Sequence, residues 1–172
     1  MKIFLCSEKE SEQILNILND AILNTTAIYD YKPRAIESMG HWFEAKKRGQ
    51  FPVVGAFDEA NKLLGFGTYG SFRNWAAYKY SVEHSVYVKA AERRKGLGRL
   101  ILEELIRLAE VQNIHTMVAG IDSENKVSIS LHEKLGFQYS GTIKQAGYKF
   151  GKWLDLVFLQ KLLVTPLYPT ED

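Results

Sequence analysis

A chain of 172 residues, 46% apolar and 24% charged, has the composition of an ordinary globular protein and the length of one domain. With 22 basic residues against 20 acidic ones the net charge is +2, which excludes a bulk electrostatic attraction to nucleic acid or to an anionic membrane. Cys6 is the single cysteine, so an intrachain disulfide framework is excluded, and no Cys/His spacing resembles a zinc site.

The opening MKIFLCSEKE has too short an apolar run for a signal-peptide core. No stretch approaches the roughly 18 apolar residues of a membrane span. One cytoplasmic domain over residues 1–172 is expected, with no metal and with neither nucleic acid nor membrane as a partner.

In chain order, IFLC reads as a strand. Ser7 with Glu10 three residues on forms a capping-box signature before a helix carrying Ile14, Leu15, Ile17, Leu18, Ala21 and Ile22. Pro33 is positioned to open a second helix with Ile36, Met39 and Phe43, closed by Gly49 and Pro52. FPVVGAF and LLGFGTYGSF, joined by the polar DEANK, read as an antiparallel strand pair. YKYSVEHSVYV alternates with period two, and a helical period runs from Gly98 to Gln112. HTMVAGI is a strand, NKVSISLHEKLGF a short helix stopped at Gly136, and WLDLVFLQKLL a late strand. Mixed strands and helices along the whole chain argue for an α/β or α+β sheet domain.

The junction between YKYSVEHSVYV and the helix after it carries Arg93, Arg94, Lys95 and Arg99 around Gly96 and Gly98. A helix N-terminus leaves amides unpaired and carries partial positive charge, glycines admit a phosphate close to the backbone, and the basic residues add full charges. A pyrophosphate suits this chemistry. The spacing is neither a Walker loop nor a dinucleotide fingerprint.

R93-x-x-G96-x-G98 after SVYV, followed about thirty residues later by N125-K-V-S128-I-S-L-H132-E-K134-L-G136-F137, resembles the acetyl-CoA signature of the GNAT N-acetyltransferase superfamily. NTTAIYDY, GTYGSFR, YSVEHSVYV, VAGIDSENKVSISLHEKLGF and GYKFGKWLDLVFLQ look like the branch that acetylates phosphinothricin, methionine sulfoximine and related amino acids. The resemblance implies a mixed, mostly antiparallel central sheet with two splayed parallel strands and helices on both faces.

It further implies acetyl-CoA as acetyl donor. The pantetheine arm would lie on the backbone of Val86, Tyr87 and Val88, and the pyrophosphate on Arg93, Arg94, Lys95, Gly96, Leu97 and Gly98 with Arg99 following. Asn125 would meet the cofactor near the second splayed strand, with Ser128 and Lys134 on the next helix; Asn125 is also placed to cap that helix.

Amines with pKa values of roughly 8 to 10 are mostly protonated at neutral pH and need a base before they can attack a thioester. Glu83 matches the acidic position of the branch and shares a strand face with Ser85 and Tyr87, while Val82, Val86 and Val88 face the other way. His132 stands where many GNAT enzymes have a tyrosine, and is the candidate proton donor to the departing thiolate. His41, His84 and His115 are read as structural. Arg73 is the candidate partner of a substrate carboxylate, with Tyr78 and Tyr29 as aromatic walls.

The reading is thus a small-molecule N-acetyltransferase acting by direct attack in a ternary complex, in a homodimer built on exposed aromatics near WLDLVFLQ. Acetylation of a protein N-terminus or lysine, and a catalytically silent CoA-binding module, are the alternatives.

Overall fold

The computed structural model describes residues 1–171. Seven strands are ordered β1-β2-β3-β4-β5-β7-β6 in one sheet: β1 Lys2–Leu5, β2 Val53–Phe57, β3 Leu63–Ser71, β4 Ser81–Val88, β5 Thr116–Asp122, β6 Gln138–Lys149 and β7 Lys152–Leu162. The pairs β1–β2, β2–β3, β5–β7 and β6–β7 are antiparallel, and β4–β5 is parallel. Four α-helices accompany them among the described residues: α1 Ser11–Asn24, α2 Ser38–Arg48, α3 Leu97–Val111 and α4 Lys126–Lys134. No helix of the described residues is long and apolar enough to cross a membrane.

Contacts group the residues into two compact units. The first comprises Met1–Gly70 with Ser85–Leu105, the second Ser71–His84 with the chain from Ile106 onward. The first unit begins with the expected capping box. Ser7 N–H donates to Glu10 Oε2 at 2.7 Å and Lys9 N–H to Ser7 Oγ at 3.3 Å, closing a short 3-10 turn that runs into α1. The Ile14, Leu15, Ile17, Leu18, Ala21 and Ile22 stripe of α1 is buried with Met39 and Phe43 of α2 and with Val53, Phe57, Leu63 and Phe66 of the strands. Cys6 packs against this core, and burial, with a smaller contribution from Glu10, pushes its thiol up to about 12.

Pro33 does not open α2, which starts at Ser38. The Asn19 amide accepts from Arg34 N–H at 2.8 Å and donates to Arg34 C=O at 2.9 Å. Both backbone groups of Arg34 are satisfied sideways, and the segment stays out of a helix.

In the second unit α4 is capped by Asn125, whose Oδ1 accepts from Ser128 N–H at 3.1 Å, and it stops at Gly136 with φ +85°. Met117, Ala119, Ile121, Phe137, Leu154, Val157 and Leu159 are buried. Strand β6 is absent from the sequence reading. Its residues QYSGTIKQAGYK are mostly exposed, and its pairing with β7 shifts register at Tyr139/Gly141 and at Ile143/Gly147, which destroys any period-two pattern.

Candidate active site

The parallel register joins Ser81 to Thr116, Val82 to Met117 and Glu83 to Val118, while β4 continues to Val88 and β5 to Asp122. Alternation along β4 buries Val82 and His84 and leaves Glu83 on the opposite, solvent-reached side. Gly120 makes room for the carboxylate: a Cβ there would stand 2.9 Å from Glu83 Oε1. Although Glu83 keeps solvent contact, the atoms crowding its carboxylate strip part of its hydration and raise its pKa above 4.5, an effect that the positive charge of Arg73 partly opposes.

A cavity of about 530 Å³ adjoins this carboxylate. It is lined by Phe72, Tyr78, Val118, Ile143 and Phe158, together with the uncharged polar residues Ser81, Thr116, Ser140, Thr142 and Gln160. Val118 is the register partner of Glu83, and Phe158 Cε1 lies 3.6 Å from the same Gly120 position. The Arg73 guanidinium lies over the Phe72 ring at 5.1 Å, and Phe72 meets Tyr78 edge-on at 5.7 Å. Glu83, Arg73 and Tyr78 thus lie in one neighbourhood of the second unit. Tyr29 is half-buried in the first unit, after α1.

His132 is 4% exposed. Its Nδ1 lies 2.7 Å from the Ser128 carbonyl oxygen and its Nε2 lies 3.2 Å from His84 Nε2, with Ser128 Oγ 3.5 Å from Nδ1. Desolvation lowers the His132 pKa, against a smaller upward pull from the Ser128 carbonyl. Both ring nitrogens are engaged inside the protein and the neutral ring is favoured. In this arrangement the ring nitrogens of His132 face the Ser128 carbonyl and His84. His84, set aside in the sequence reading, is the second of these partners.

The basic junction lies in the first unit. Arg94 and Gly96 both take the left-handed region, at φ +63° and +81°, and α3 starts immediately afterwards at Leu97. A Cβ on Gly96 would meet nothing within 4 Å, so glycine serves conformation there and leaves open space. Arg93 Nε donates to Val88 C=O at 3.2 Å, which fastens the loop to the end of β4. Lys95 pairs with Glu92 and Arg99 with Glu103, each at 2.8 Å and each exposed enough to exchange partners. Gly98 follows Leu97 within the first turn of α3, where helix amides lack intrahelical acceptors. Val86, Tyr87 and Val88 are half-buried; the Tyr87 ring packs on Phe66 at 5.4 Å.

In the second unit Asn125 and Ser128 form the first turn of α4, and Lys134 is exposed at its end. Sequence reasoning missed Gly120 and the cavity residues of β6 and β7. Gly120 carries no turn signal, and β6 shows no strand pattern.

Residues 3–158 match the family described as the acetyltransferase (GNAT) domain. The chain is 47% identical over 147 residues to the L-methionine sulfoximine/L-methionine sulfone acetyltransferase of Pseudomonas paraeruginosa, covering 86% of each chain. Among solved structures it is similar to an N-acetyltransferase from Staphylococcus aureus, with 46% identity, a TM-score of 0.91 and coverage of 94% of this chain and 97% of that one. It is also similar to a GNAT superfamily phosphinothricin acetyltransferase from Sinorhizobium meliloti in complex with acetyl-CoA, with 31% identity, a TM-score of 0.93 and coverage of 98% and 91%. A carboxylate on the strand before a basic Gly-x-Gly loop, set in this mixed sheet and matched over nearly the full length, makes the chain a member of the GNAT acetyltransferase family.

Proposed function

We propose that the protein is an acetyl-CoA-dependent amino-acid N-acetyltransferase that favours side chains ending in a neutral hydrogen-bonding group, such as the sulfoximine or sulfone of an oxidised methionine. The carrying observation is the Glu83 carboxylate seated on Gly120 beside a cavity whose lining bears no charge. The printed activity of the Pseudomonas paraeruginosa relative, on L-methionine sulfoximine and L-methionine sulfone, supports the same reading. An anionic side chain, such as a phosphinate, would lose hydration there without gaining a counter-charge.

Glu83 takes the proton from the substrate ammonium, directly or through one water, and its raised pKa brings it closer to the amine it serves. Arg73, beside both Glu83 and the cavity wall, receives the substrate carboxylate through paired hydrogen bonds, with Tyr78 and Tyr29 as aromatic walls. Acetyl-CoA, when bound, supplies the acetyl thioester that the neutral amine attacks. The residues present fit it: the left-handed Arg94 and Gly96, the open space over Gly96 and the start of α3 form an anion cradle. In the proposal Arg93, Arg94, Lys95, Gly96, Leu97, Gly98 and Arg99 hold the pyrophosphate, Val86, Tyr87 and Val88 the pantetheine arm, and Asn125, Ser128 and Lys134 the neighbouring part of the cofactor. A thiolate with a pKa near ~8.5 by analogy with cysteine can take its proton from water, so the mechanism does not need one from His132.

The chain acts in this reading as one cytoplasmic domain. It forms a homodimer through the β6–β7 turn, where Tyr148 and Trp153 are exposed with their rings 5.1 Å apart.

Thiol release from acetyl-CoA tests the reading with methionine sulfoximine, methionine sulfone, phosphinothricin, a simple amine and a peptide with a free N-terminus. Rates highest for the sulfoximine or sulfone are expected. Glu83→Gln should lower turnover by about 10²-fold with CoA affinity near normal. Because the folded pKa of Glu83 is raised, the wild-type rate should climb with pH along an acid limb centred above 4.5, and the variant should lose that limb. CoA binding with no release for any amine would identify a silent module, preference for the peptide a protein acetyltransferase, and an unchanged rate in Glu83→Gln a different base.

A further inference from the structure

His84 follows Glu83 on β4 but points to the other face, into the interior, where it is 7% exposed. Its ring stacks on His132 with centroids 5.0 Å apart and planes at 28°, and Phe137 closes on both rings edge-on at 5.5 and 5.1 Å. Hydrogen-bond chemistry fixes the protons of this pair. The Ser128 carbonyl can only accept, so the His132 nitrogen 2.7 Å from it carries N–H. In a neutral ring His132 Nε2 is then a bare acceptor, and the 3.2 Å contact requires N–H on His84 Nε2. That leaves His84 Nδ1 bare, and it is a buried nitrogen with no hydrogen-bond partner among the described residues.

The reverse arrangement would need a charged His132 and would bury an unsatisfied N–H on His84. Desolvation lowers the pKa of both rings, and a positive charge on His84 is further opposed by His132. An orphaned acceptor is the lesser cost.

We propose that His84 is a positioning residue for cofactor binding: its Nε2–H holds His132 as the Nδ1–H tautomer, which in turn grips the Ser128 carbonyl in the first turn of α4. Asn125 already accepts from Ser128 N–H, so the peptide groups on both sides of Ser128 are fixed from outside the helix ladder. This rests on the proposed function only in taking Asn125 and Ser128 as cofactor contacts. The cost of the device is the bare His84 Nδ1.

Two measurements test it. Side-chain ¹⁵N NMR of the wild-type chain, which needs no activity, should show neutral His132 protonated at Nδ1 and neutral His84 protonated at Nε2. CoA titration by calorimetry should show affinity about tenfold weaker in His84→Phe, which keeps the volume but removes the donor, and largely restored in His84→Gln, whose amide N–H reaches the Nε2 position. An Nε2–H tautomer of His132 in the wild type would overturn the proposal. So would wild-type affinity in a folded His84→Phe, or affinity in His84→Gln as weak as in His84→Phe. Should His84→Phe not fold, the tautomers and the affinity of His84→Gln still decide. A wild-type chain that binds CoA and shows these tautomers yet acetylates no amine would sink the acetyltransferase reading and leave this one standing.

Discussion

Gly120 acts through the methyl group it lacks. A Cβ at this position would stand 2.9 Å from Glu83 Oε1, 3.5 Å from Leu156 Cδ1 and 3.6 Å from Phe158 Cε1, so the space above β5 is reserved for the carboxylate. Gly120→Ala should push Glu83 aside and lower turnover by about tenfold or more, since displacements near 1 Å at a reacting group cost up to about 10²-fold. CoA affinity should stay unchanged, and steady-state kinetics beside calorimetry would show it; full turnover would mean that the carboxylate tolerates displacement. Glu83 was legible from its motif and its alternation, because those are local properties. Gly120 was not, because its neighbour is 37 positions away in sequence and meets it only through the β4–β5 register. His84 was visible as a residue and invisible as a partner, since its link to His132 spans two elements.

At the scale of elements, the loop into α3 concentrates conformational cost where the basic residues stand. Arg94 at φ +63° is a non-glycine residue in the left-handed region, and Gly96 at +81° relieves the same demand two residues later. Because nothing lies within 4 Å of a Cβ at Gly96, Gly96→Ala should cost about 1 kcal/mol through backbone conformation alone. Urea denaturation would measure that loss, and CoA titration the accompanying loss of affinity. An unaltered unfolding midpoint would show that the loop reaches its shape without glycine. The capping boxes and helical stripes were legible because short-range spacing fixes them: Ser7 with Glu10, Asn125 before α4, the α1 stripe. Pro33 misled because the Asn19 amide, 15 residues away, holds Arg34 out of a helix. Strand β6 escaped because its shifted register and exposed surface leave no alternation to read.

For the whole molecule, the sequence shows no linker, and the two compact units divide inside β4 and inside α3, continuous elements that composition cannot mark. The exposed aromatics of the β6–β7 turn give the proposed dimer its support, with Trp153 59% and Phe150 56% exposed, while Leu154, Val157 and Leu159 of the same late strand are buried. Trp153→Lys should halve the mass seen by light scattering, and a wild-type monomer would remove the dimer. The sole sulfhydryl, Cys6, has its pKa pushed up to about 12 by burial and, to a smaller extent, by Glu10, so near pH 8 it stays overwhelmingly in the unreactive thiol form. A disulfide-type colour reagent added to a running assay will therefore report the coenzyme set free far faster than it labels Cys6.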